Sequence, residues 1–147
     1  MTHWRVLNAD ILTLTAEGLI CSANPALNMS GGVGGAMLLR YGPEMQEWLD
    51  AHPRSSGSRY VEPGEVVVTP SCGTPYKAVA HAVAVDAFYD TGSEVIRRAY
   101  ERALEELAAG GCRTIAAACL GCGYGRCSIG EFIEAIGPLK ERKLEGI

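Results

Sequence analysis

The sequence predicts an α/β layered fold in which much of the strand pairing is parallel. Strand-like apolar runs alternate with helix-like ones along the 147 residues. Two glycine-rich loops, at positions 30–35 and 121–125, each lie between a strand-like and a helix-like run. The run 78–85 is almost continuously apolar, which is typical of a strand buried on both faces. Ligands in such folds bind beyond the carboxyl ends of the strands, so we expect both loops at one edge of the sheet.

The first third of the chain predicts two strands and a divided helical region. Residues 4–7 and 19–23 have strand-like patterns. After the first glycine loop, apolar residues keep helical spacing, and Gly42-Pro43 is expected to split them into two helices. These apolar positions are Met37, Leu38, Tyr41, Met45, Trp48 and Leu49.

The middle of the chain predicts two neighbouring strands. The turn pair Pro63-Gly64 precedes a strand at 65–69, and a second turn at 70–75 leads into the strand at 78–85. Thr91-x-x-Glu94 then has the pattern of a capping box that opens a long helix. Its predicted buried stripe comprises Val95, Ile96, Ala99, Tyr100, Ala103, Leu104 and Leu107.

The last third predicts one more strand and one more helix. Gly110-Gly111 ends the long helix, and residues 114–120 form a strand that leads directly into the second glycine loop. Ser128-x-x-Glu131 is a second capping box. The helix that it opens is expected to bury Phe132, Ile133 and Ile136 and to end at Gly137-Pro138.

Length, charge and composition restrict the class of protein. A chain of 147 residues is one domain's worth and buries roughly two-thirds of its unfolded surface. A net charge of −4 and a pI near 5.4 argue against a nucleic-acid partner, because electrostatic binding to the phosphate backbone depends on clustered Lys and Arg. The start of the chain lacks a signal-peptide pattern, and no apolar stretch approaches membrane-spanning length, so we expect a cytoplasmic protein without a membrane partner.

Six cysteines are expected to be reduced, because most have apolar or glycine-rich neighbours and the chain is long enough for an ordinary core. Four of them, Cys112, Cys119, Cys122 and Cys127, also allow a zinc site. Structural zinc sites usually contain two closely spaced pairs, so we expect no metal here. Cys122 at a helix start is a further candidate, as a nucleophile with a lowered pKa.

Five stretches, taken together, resemble one family. They are residues 8–11, 20–36, 64–70, 76–83 and 120–125, in order and with sensible spacing. They resemble the strand, loop and helix motifs of macrodomains, ADP-ribose-binding modules of the type that processes ADP-ribose 1″-phosphate. The resemblance spans about residues 4–140. It implies a three-layer α/β/α fold with a mixed, largely parallel central sheet, and a single macrodomain over residues 1–147.

The resemblance assigns two polar side chains to the ends of the ligand. Asp10 matches the residue that contacts the adenine amino group in macrodomains, with the adjoining backbone at Ile11 completing the contact. A surface turn or cap is the alternative for Asp10. Asn24 matches the family's contact to the distal ribose. Its alternative is local bonding within an Asn-Pro turn.

The two glycine loops are expected to hold the diphosphate from both sides, because glycine lets the backbone approach an anion closely. The first loop contributes Gly31, Gly32, Val33 and Gly34. The second contributes Gly121, Cys122, Gly123, Tyr124 and Gly125, with the Tyr124 ring or hydroxyl near the diphosphate or distal ribose. Either loop could instead be a purely structural turn. The implied partner is ADP-ribose or an ADP-ribosylated protein, with no cofactor.

Two departures from the family bear on catalysis. Gly34 occupies the position where hydrolase members commonly carry an Asp, and Cys21 replaces the first Asn of the Asn-Ala-Ala-Asn motif. His81 is a substitute base only if it is accessible, and its apolar neighbours predict a buried core histidine. The catalytic residues are therefore left unassigned. We expect binding, with an ADP-ribosyl hydrolase, ADP-ribose 1″-phosphate phosphatase or O-acetyl-ADP-ribose deacetylase using a non-standard base as the alternative.

The C-terminal region also departs from the family. Macrodomains usually place another strand after the last helix, whereas few residues follow Gly137-Pro138 here. The resemblance therefore implies a final strand that is very short or absent.

Overall fold

A computed structural model describes residues 2–52, 60–86, 88, 90–122 and 127–141. Four strands lie within these residues: β1 (Gly18–Ala23), β2 (Val66–Pro70), β3 (Ala78–Val83) and β4 (Ile115–Ala117). The α-helices are α1 (Gly32–Tyr41), α2 (Glu44–Ala51), α3 (Ser93–Ala109) and α4 (Ile129–Ile136). Short 3₁₀ helices occupy Ile11–Thr13 and Gly137–Glu141.

The strands form one mixed sheet in the order β2-β3-β1-β4. β1 is central and pairs in parallel with both β3 and β4, whereas β2 is antiparallel to β3. Cys21 of β1 lies opposite His81 of β3, and Ile20 lies opposite Ala117 of β4. This confirms the predicted sheet, which is mixed but mostly parallel.

Alternate residues of the strands bury into two separate core layers, because successive side chains point to opposite faces of a sheet. Leu19 and Cys21 of β1 belong to the layer under α1 and α2. Ile20 belongs to the layer under α3 and α4. The arrangement of helices, sheet and helices is the predicted three-layer α/β/α fold. Glycine and proline divide α1 from α2 as expected.

The two predicted capping boxes have different outcomes. At α4 the Ser128 hydroxyl accepts a hydrogen bond from the Glu131 amide, and the Glu131 carboxylate accepts one from the Ser128 amide. At α3 the prediction is wrong, because Gly92 is the N-cap and no side chain caps it. The Thr91 hydroxyl instead donates to the Ala84 carbonyl oxygen, which ties the start of α3 to the end of the β3 region.

The strand predicted at residues 4–7 is absent from the structure, which gives this segment no regular secondary structure. The Trp4 ring stacks on Tyr100 of α3, with 6.0 Å between the ring centroids. Val6 is 86% exposed. The segment therefore buries its largest apolar group against a helix and needs no strand partner.

Two other predictions differ in detail. β4 is shorter than the predicted 114–120, although the Ala118 amide still donates to the Ile20 carbonyl oxygen at 3.1 Å. Ile133 is 43% exposed and does not share the buried face of α4, which Phe132, Ala135 and Ile136 form. The stripe of α3 is buried as predicted, except that Val95 is only half-buried.

The C-terminal strand expectation concerns residues 142–147, which lie outside the described residues. Among the residues that the structure does describe, no helix combines the length and apolarity needed to cross a membrane.

Candidate functional site

A cavity of about 360 Å³ opens at the carboxyl ends of β1, β3 and β4. Three parts of the chain enclose it: the end of β1 with the turn after it, the segment leading into α1, and the ends of β3 and β4. Its lining residues are Cys21, Ser22, Ala23, Asn24, Leu27, Asn28, Met29, Ser30, Gly31, Gly32, Val33, Gly34, His81, Val85, Ala118, Cys119 and Gly121. The edge of the sheet is the one that the sequence predicted.

The first glycine loop forms the N-terminus of α1 on one wall of the cavity. Gly31 is the N-cap, and no side chain caps the helix there. Gly32 has a φ of +58°, in the left-handed region that favours glycine. The Gly35 amide makes a helical bond to the Gly31 carbonyl oxygen at 3.0 Å. The amides of Gly32, Val33 and Gly34 therefore precede the first such bond and are suited to an anion.

Gly121 forms part of the opposite wall. Its φ is +77°, and a Cβ atom there would lie 3.2 Å from Thr91 Cγ2 and 3.3 Å from Ile96 Cδ1. Both the backbone conformation and the close packing against α3 thus require glycine. This brings the start of the second glycine loop to the same cavity as the first.

The turn between β1 and α1 is closed by Asn24. Its side-chain amide donates to the Asn28 carbonyl oxygen at 2.9 Å, and its Oδ1 accepts from the Asn28 amide at 3.1 Å. Between them Leu27 has a φ of +56°, which is uncommon for a residue with a branched side chain. Asn24 therefore lines the cavity and also makes the local turn bonds considered as its alternative role.

Gln46 of α2 supports this turn from outside the cavity. Its Oε1 accepts from the Met29 amide at 2.7 Å, and its Nε2 donates to the Leu27 carbonyl oxygen at 3.1 Å. Nε2 also donates to Asp50 Oδ1 at 2.8 Å. One side chain thus holds two backbone groups of the cavity wall.

His81 lies at the base of the cavity and is only 1% exposed. Its Nε2 is 3.2 Å from the Thr69 hydroxyl, which also donates to the Val79 carbonyl oxygen at 3.4 Å. Burial lowers the pKa of His81 to about 4, because the charged imidazolium would lose its hydration. His81 is therefore the buried, neutral core histidine that the sequence predicted, although it also contributes to the cavity surface.

The lining of the cavity carries no Asp, Glu, Lys or Arg among the described residues. A bound anion would meet no carboxylate there, although the whole chain has a net charge of −4. Attraction for that anion would come from backbone amides and the N-terminus of α1.

Comparison with known proteins identifies the family. The sequence profile of the Macro domain family matches residues 20–136. The chain belongs to the Macro domain family. This macrodomain is 37% identical over 78 residues to an O-acetyl-ADP-ribose deacetylase of Citrobacter rodentium, a match that covers 53% of this chain and 43% of that protein. It spans about a third to two thirds of the length of several curated relatives that it matches.

Solved macrodomains share the fold. The Oceanobacillus iheyensis macrodomain with MES bound has a TM-score of 0.80 and 22% identity, covering 94% of this chain and 77% of that chain. The Trypanosoma brucei macrodomain in complex with ADP-ribose has a TM-score of 0.63 and 23% identity, covering 87% and 55%.

Asp10 and Ile11 lie outside the set of residues that line the cavity of this macrodomain. Asp10 is exposed and is the N-cap of the first 3₁₀ helix, where its Oδ1 accepts from the Leu12 amide at 3.0 Å. Ile11 is half-buried and packs against the core layer under α1 and α2. The capping role considered for Asp10 is thus present, and only one of its two carboxylate oxygens makes the cap.

Cys122 adjoins the cavity without belonging to its lining. Burial raises the pKa of its thiol, which opposes the lowered pKa expected of a nucleophile at a helix start. Gly123, Tyr124 and Gly125 lie outside the described residues. All six cysteines are free, and no three metal-binding side chains are grouped within the described part of the macrodomain.

Several lining residues of the macrodomain escaped the sequence analysis. Ser22, Asn28 and Ala118 were given no role there, and Cys119 was considered only as a zinc ligand. Ala118 and Cys119 directly follow β4, so the rule that parallel strands end at one edge was a usable signal for them. Gln46 gave no signal, because a polar residue on an amphipathic helix is ordinarily solvated.

Proposed function

We propose that this macrodomain binds ADP-ribose or a related ADP-ribosyl metabolite in the cavity. The observation that carries the proposal is the convergence of the first glycine loop and Gly121 on one cavity with no charged side chain among its described lining residues. Uncapped amides at Gly32, Val33 and Gly34 supply donors for a phosphate without the cost of burying a Lys or Arg. The cavity of about 360 Å³ falls within the usual range for small-molecule sites, roughly 300–1,000 Å³.

The ligand's orientation follows from which residues lie inside the cavity and which lie outside. Asn24 and Ser22, at the end of β1, are available to ribose hydroxyls. Asp10 retains a carboxylate oxygen beyond the one that caps Leu12, and this oxygen can accept from an adenine amino group. We therefore place the distal ribose and diphosphate in the cavity, with the adenine outside it toward Asp10.

Binding without turnover is favoured by the absence of a suitable base among the described lining residues. Gly34 has no side chain, and the lowered pKa of His81 makes it a weak proton acceptor. The relatives named as O-acetyl-ADP-ribose deacetylases support deacetylation as the enzymatic alternative. ADP-ribosyl hydrolysis and ADP-ribose 1″-phosphate hydrolysis are the other reactions that this alternative includes. We also propose that the chain forms a single macrodomain and that the protein is cytoplasmic.

Calorimetry with ADP-ribose and AMP tests the proposal. We expect saturable ADP-ribose binding, with AMP at least about tenfold weaker because it lacks the second phosphate and the distal ribose. Asn24→Ala should weaken ADP-ribose binding, whereas Glu134→Gln, a change of an exposed residue on α4, should not. No binding of ADP-ribose by the folded wild-type protein would refute the proposal.

The enzymatic alternative is decided by a separate measurement. The wild-type protein is incubated with O-acetyl-ADP-ribose, ADP-ribose 1″-phosphate and ADP-ribosylated protein, and products are quantified against Asn24→Ala. Turnover by the wild-type protein that is lost in Asn24→Ala would support the enzymatic alternative. Tight binding with no turnover would show that the protein binds these ligands without catalysing a reaction.

A further inference from the structure

Two thiols approach the same carbonyl oxygen between β4 and α4. The Cys122 Sγ lies 3.6 Å from the Ser128 carbonyl oxygen, and the Cys127 Sγ lies 3.4 Å from the same oxygen. Both sulfur atoms therefore lie against one backbone oxygen, which places the two thiols near each other.

The backbone holds the two cysteines together. The Cys127 amide donates to the Gly121 carbonyl oxygen at 3.2 Å. The backbone of Cys127 therefore lies beside the peptide group that joins Gly121 to Cys122. Cys127 is buried in the core layer with Leu120 and Phe132, and Cys122 is only half-buried. One thiol is fixed in the core while the other is open to a small reagent.

We propose that Cys122 and Cys127 form a redox pair, which a low-molecular-weight disulfide oxidises to an intramolecular disulfide that weakens ligand binding in the cavity. The effect on binding rests on the proposed function, but disulfide formation does not.

The exchange balances without any other reactant. The Cys122 thiolate attacks one sulfur of the small disulfide, forms a mixed disulfide and releases one small thiolate. The Cys127 thiolate then attacks the Cys122 sulfur and releases the second. The protein loses two electrons, and the two protons from its thiols are taken up by the departing thiolates.

The new bond acts on the cavity through Gly121. Bond formation brings the two sulfurs to about 2.05 Å, closer than any hydrogen-bonded contact. Because Cys127 is held in the core, the contraction falls mainly on Cys122 and on the backbone joined to it. Gly121 precedes Cys122, lines the cavity, and has neighbours at 3.2 Å and 3.3 Å from a Cβ position. Its displacement alters the wall that faces the first glycine loop.

Peptide mapping tests the disulfide itself. Trypsin cleaves after Arg113, Arg126 and Lys140, so Cys122 and Cys127 fall in different peptides, 114–126 and 127–140. Wild-type protein is treated with oxidised glutathione, alkylated and digested without reductant. Burial raises the pKa of Cys127 to about 12, so the reaction is run at about pH 8.5 to increase the thiolate fraction.

We expect the two peptides to be cross-linked in the wild type and in Cys119→Ser, and to separate after reduction. The Cys119→Ser variant matters because Cys119 shares a peptide with Cys122 and is exposed. A disulfide confined to peptide 114–126, or glutathione adducts without a cross-link, would overturn the proposal. Loss of the cross-link in Cys119→Ser would also overturn it.

Calorimetry then tests the consequence for binding. Oxidation should weaken ADP-ribose binding by at least about threefold, and reduction should restore it. Cys127→Ala should bind ADP-ribose like the reduced wild type, and oxidation should not change its affinity. In Cys112→Ser, a change of a buried cysteine beside Gly18, oxidation should still weaken binding. A cross-linked protein with unchanged affinity would overturn the regulatory effect. If reduced wild-type protein binds no ADP-ribose, the proposed function fails, while the peptide map still decides the disulfide.

Discussion

His81 Nε2 lies 3.2 Å from the hydroxyl of Thr69, and both side chains are 1% exposed at the interface of β2 and β3. Because the Thr69 hydroxyl donates to the Val79 carbonyl oxygen, it can accept from an Nε2–H group. This arrangement satisfies a neutral imidazole in the core, and a protonated ring would carry a charge with no buried counterion contact among its described partners.

The first prediction concerns stability in acid. The pKa of His81 is about 4 in the folded state against 6.5 in the unfolded chain, so the unfolded chain takes up the proton first as the pH falls. Stability from His81 is complete above pH 6.5 and is lost toward pH 4. Between pH 7 and about pH 5 the free energy of unfolding should fall by about 2 kcal/mol through this group.

Urea denaturation over this pH range measures the effect. His81→Gln should flatten the pH dependence whatever its own effect on stability, and His3→Gln, at an exposed position, should retain it. Parallel curves for His81→Gln and the wild type would contradict the prediction.

A second prediction separates charge from backbone strain at the first glycine loop. Gly32 has a φ of +58°, and a Cβ atom there would meet nothing within 4 Å. Gly32→Ala and Gly32→Glu should each lose about 1 kcal/mol of stability from the left-handed backbone. Only Gly32→Glu places a negative charge beside the amides at the start of α1.

ADP-ribose calorimetry on the two variants gives the comparison. Gly32→Glu should bind at least about tenfold more weakly than Gly32→Ala. Equal affinities would mean that no phosphate lies at this helix start.

A third prediction distinguishes capping from ligand binding at Asp10. Asp10→Ala should lose about 1 kcal/mol of stability with the bond from the Leu12 amide. Asp10→Asn keeps an oxygen for that bond, so its stability should change by less than about 0.5 kcal/mol. Both variants should bind ADP-ribose more weakly if the carboxylate contacts adenine.

Thermal melts and calorimetry on the same samples decide this. If Asp10→Asn binds ADP-ribose with wild-type affinity, the Asp10 carboxylate caps the 3₁₀ helix and does not contact adenine.

A fourth prediction concerns Gly34, the third residue of α1. A Cβ atom at Gly34 would lie 3.4 Å from Met29 Cα, an ordinary contact, so the backbone leaves room for a Cβ atom there. An Asp in the first turn of a helix is also favourable to the helix dipole. Gly34→Asp should therefore fold, and it introduces a base into the cavity.

Turnover of O-acetyl-ADP-ribose is the measurement. Gly34→Asp should exceed the wild type by at least about tenfold, a modest part of what a positioned general base contributes. Gly34→Asn, of the same shape without the base, should not. If both variants behave alike, the carboxylate is not the missing element.

The sheet, its two covering layers and the position of Gly121 at the same edge as the first glycine loop could be predicted because each depends on a local pattern. The strand at 4–7 was wrong because an apolar alternation does not reveal whether Trp4 packs on a strand or on Tyr100. The Thr91 capping box failed for a similar reason, since the Ala84 carbonyl oxygen competes for the same hydroxyl. Local composition cannot rank partners that are distant in sequence.

The candidate site was predictable where backbone geometry defines it and much less so where side chains support it. Gly32 and Gly121 have the positive φ angles that glycine-rich loops suggest. The contacts of Gln46 with Met29 and Leu27 depend on how α2 docks against the turn, which no motif encodes. Asp10 shows the remaining ambiguity, because a capping aspartate and a ligand-binding aspartate have the same local sequence.

The central position of β1 has a consequence for how the molecule assembles. β1 pairs with β3 and β4, both of which come from much later in the chain. Such non-local pairing slows folding, because long loops must close before the contacts form. On the ribosome, the Asn24 turn and the start of α1 emerge well before Gly121. The cavity therefore cannot be completed until β4 has joined the sheet, and a nascent chain acquires the proposed ligand site late in synthesis.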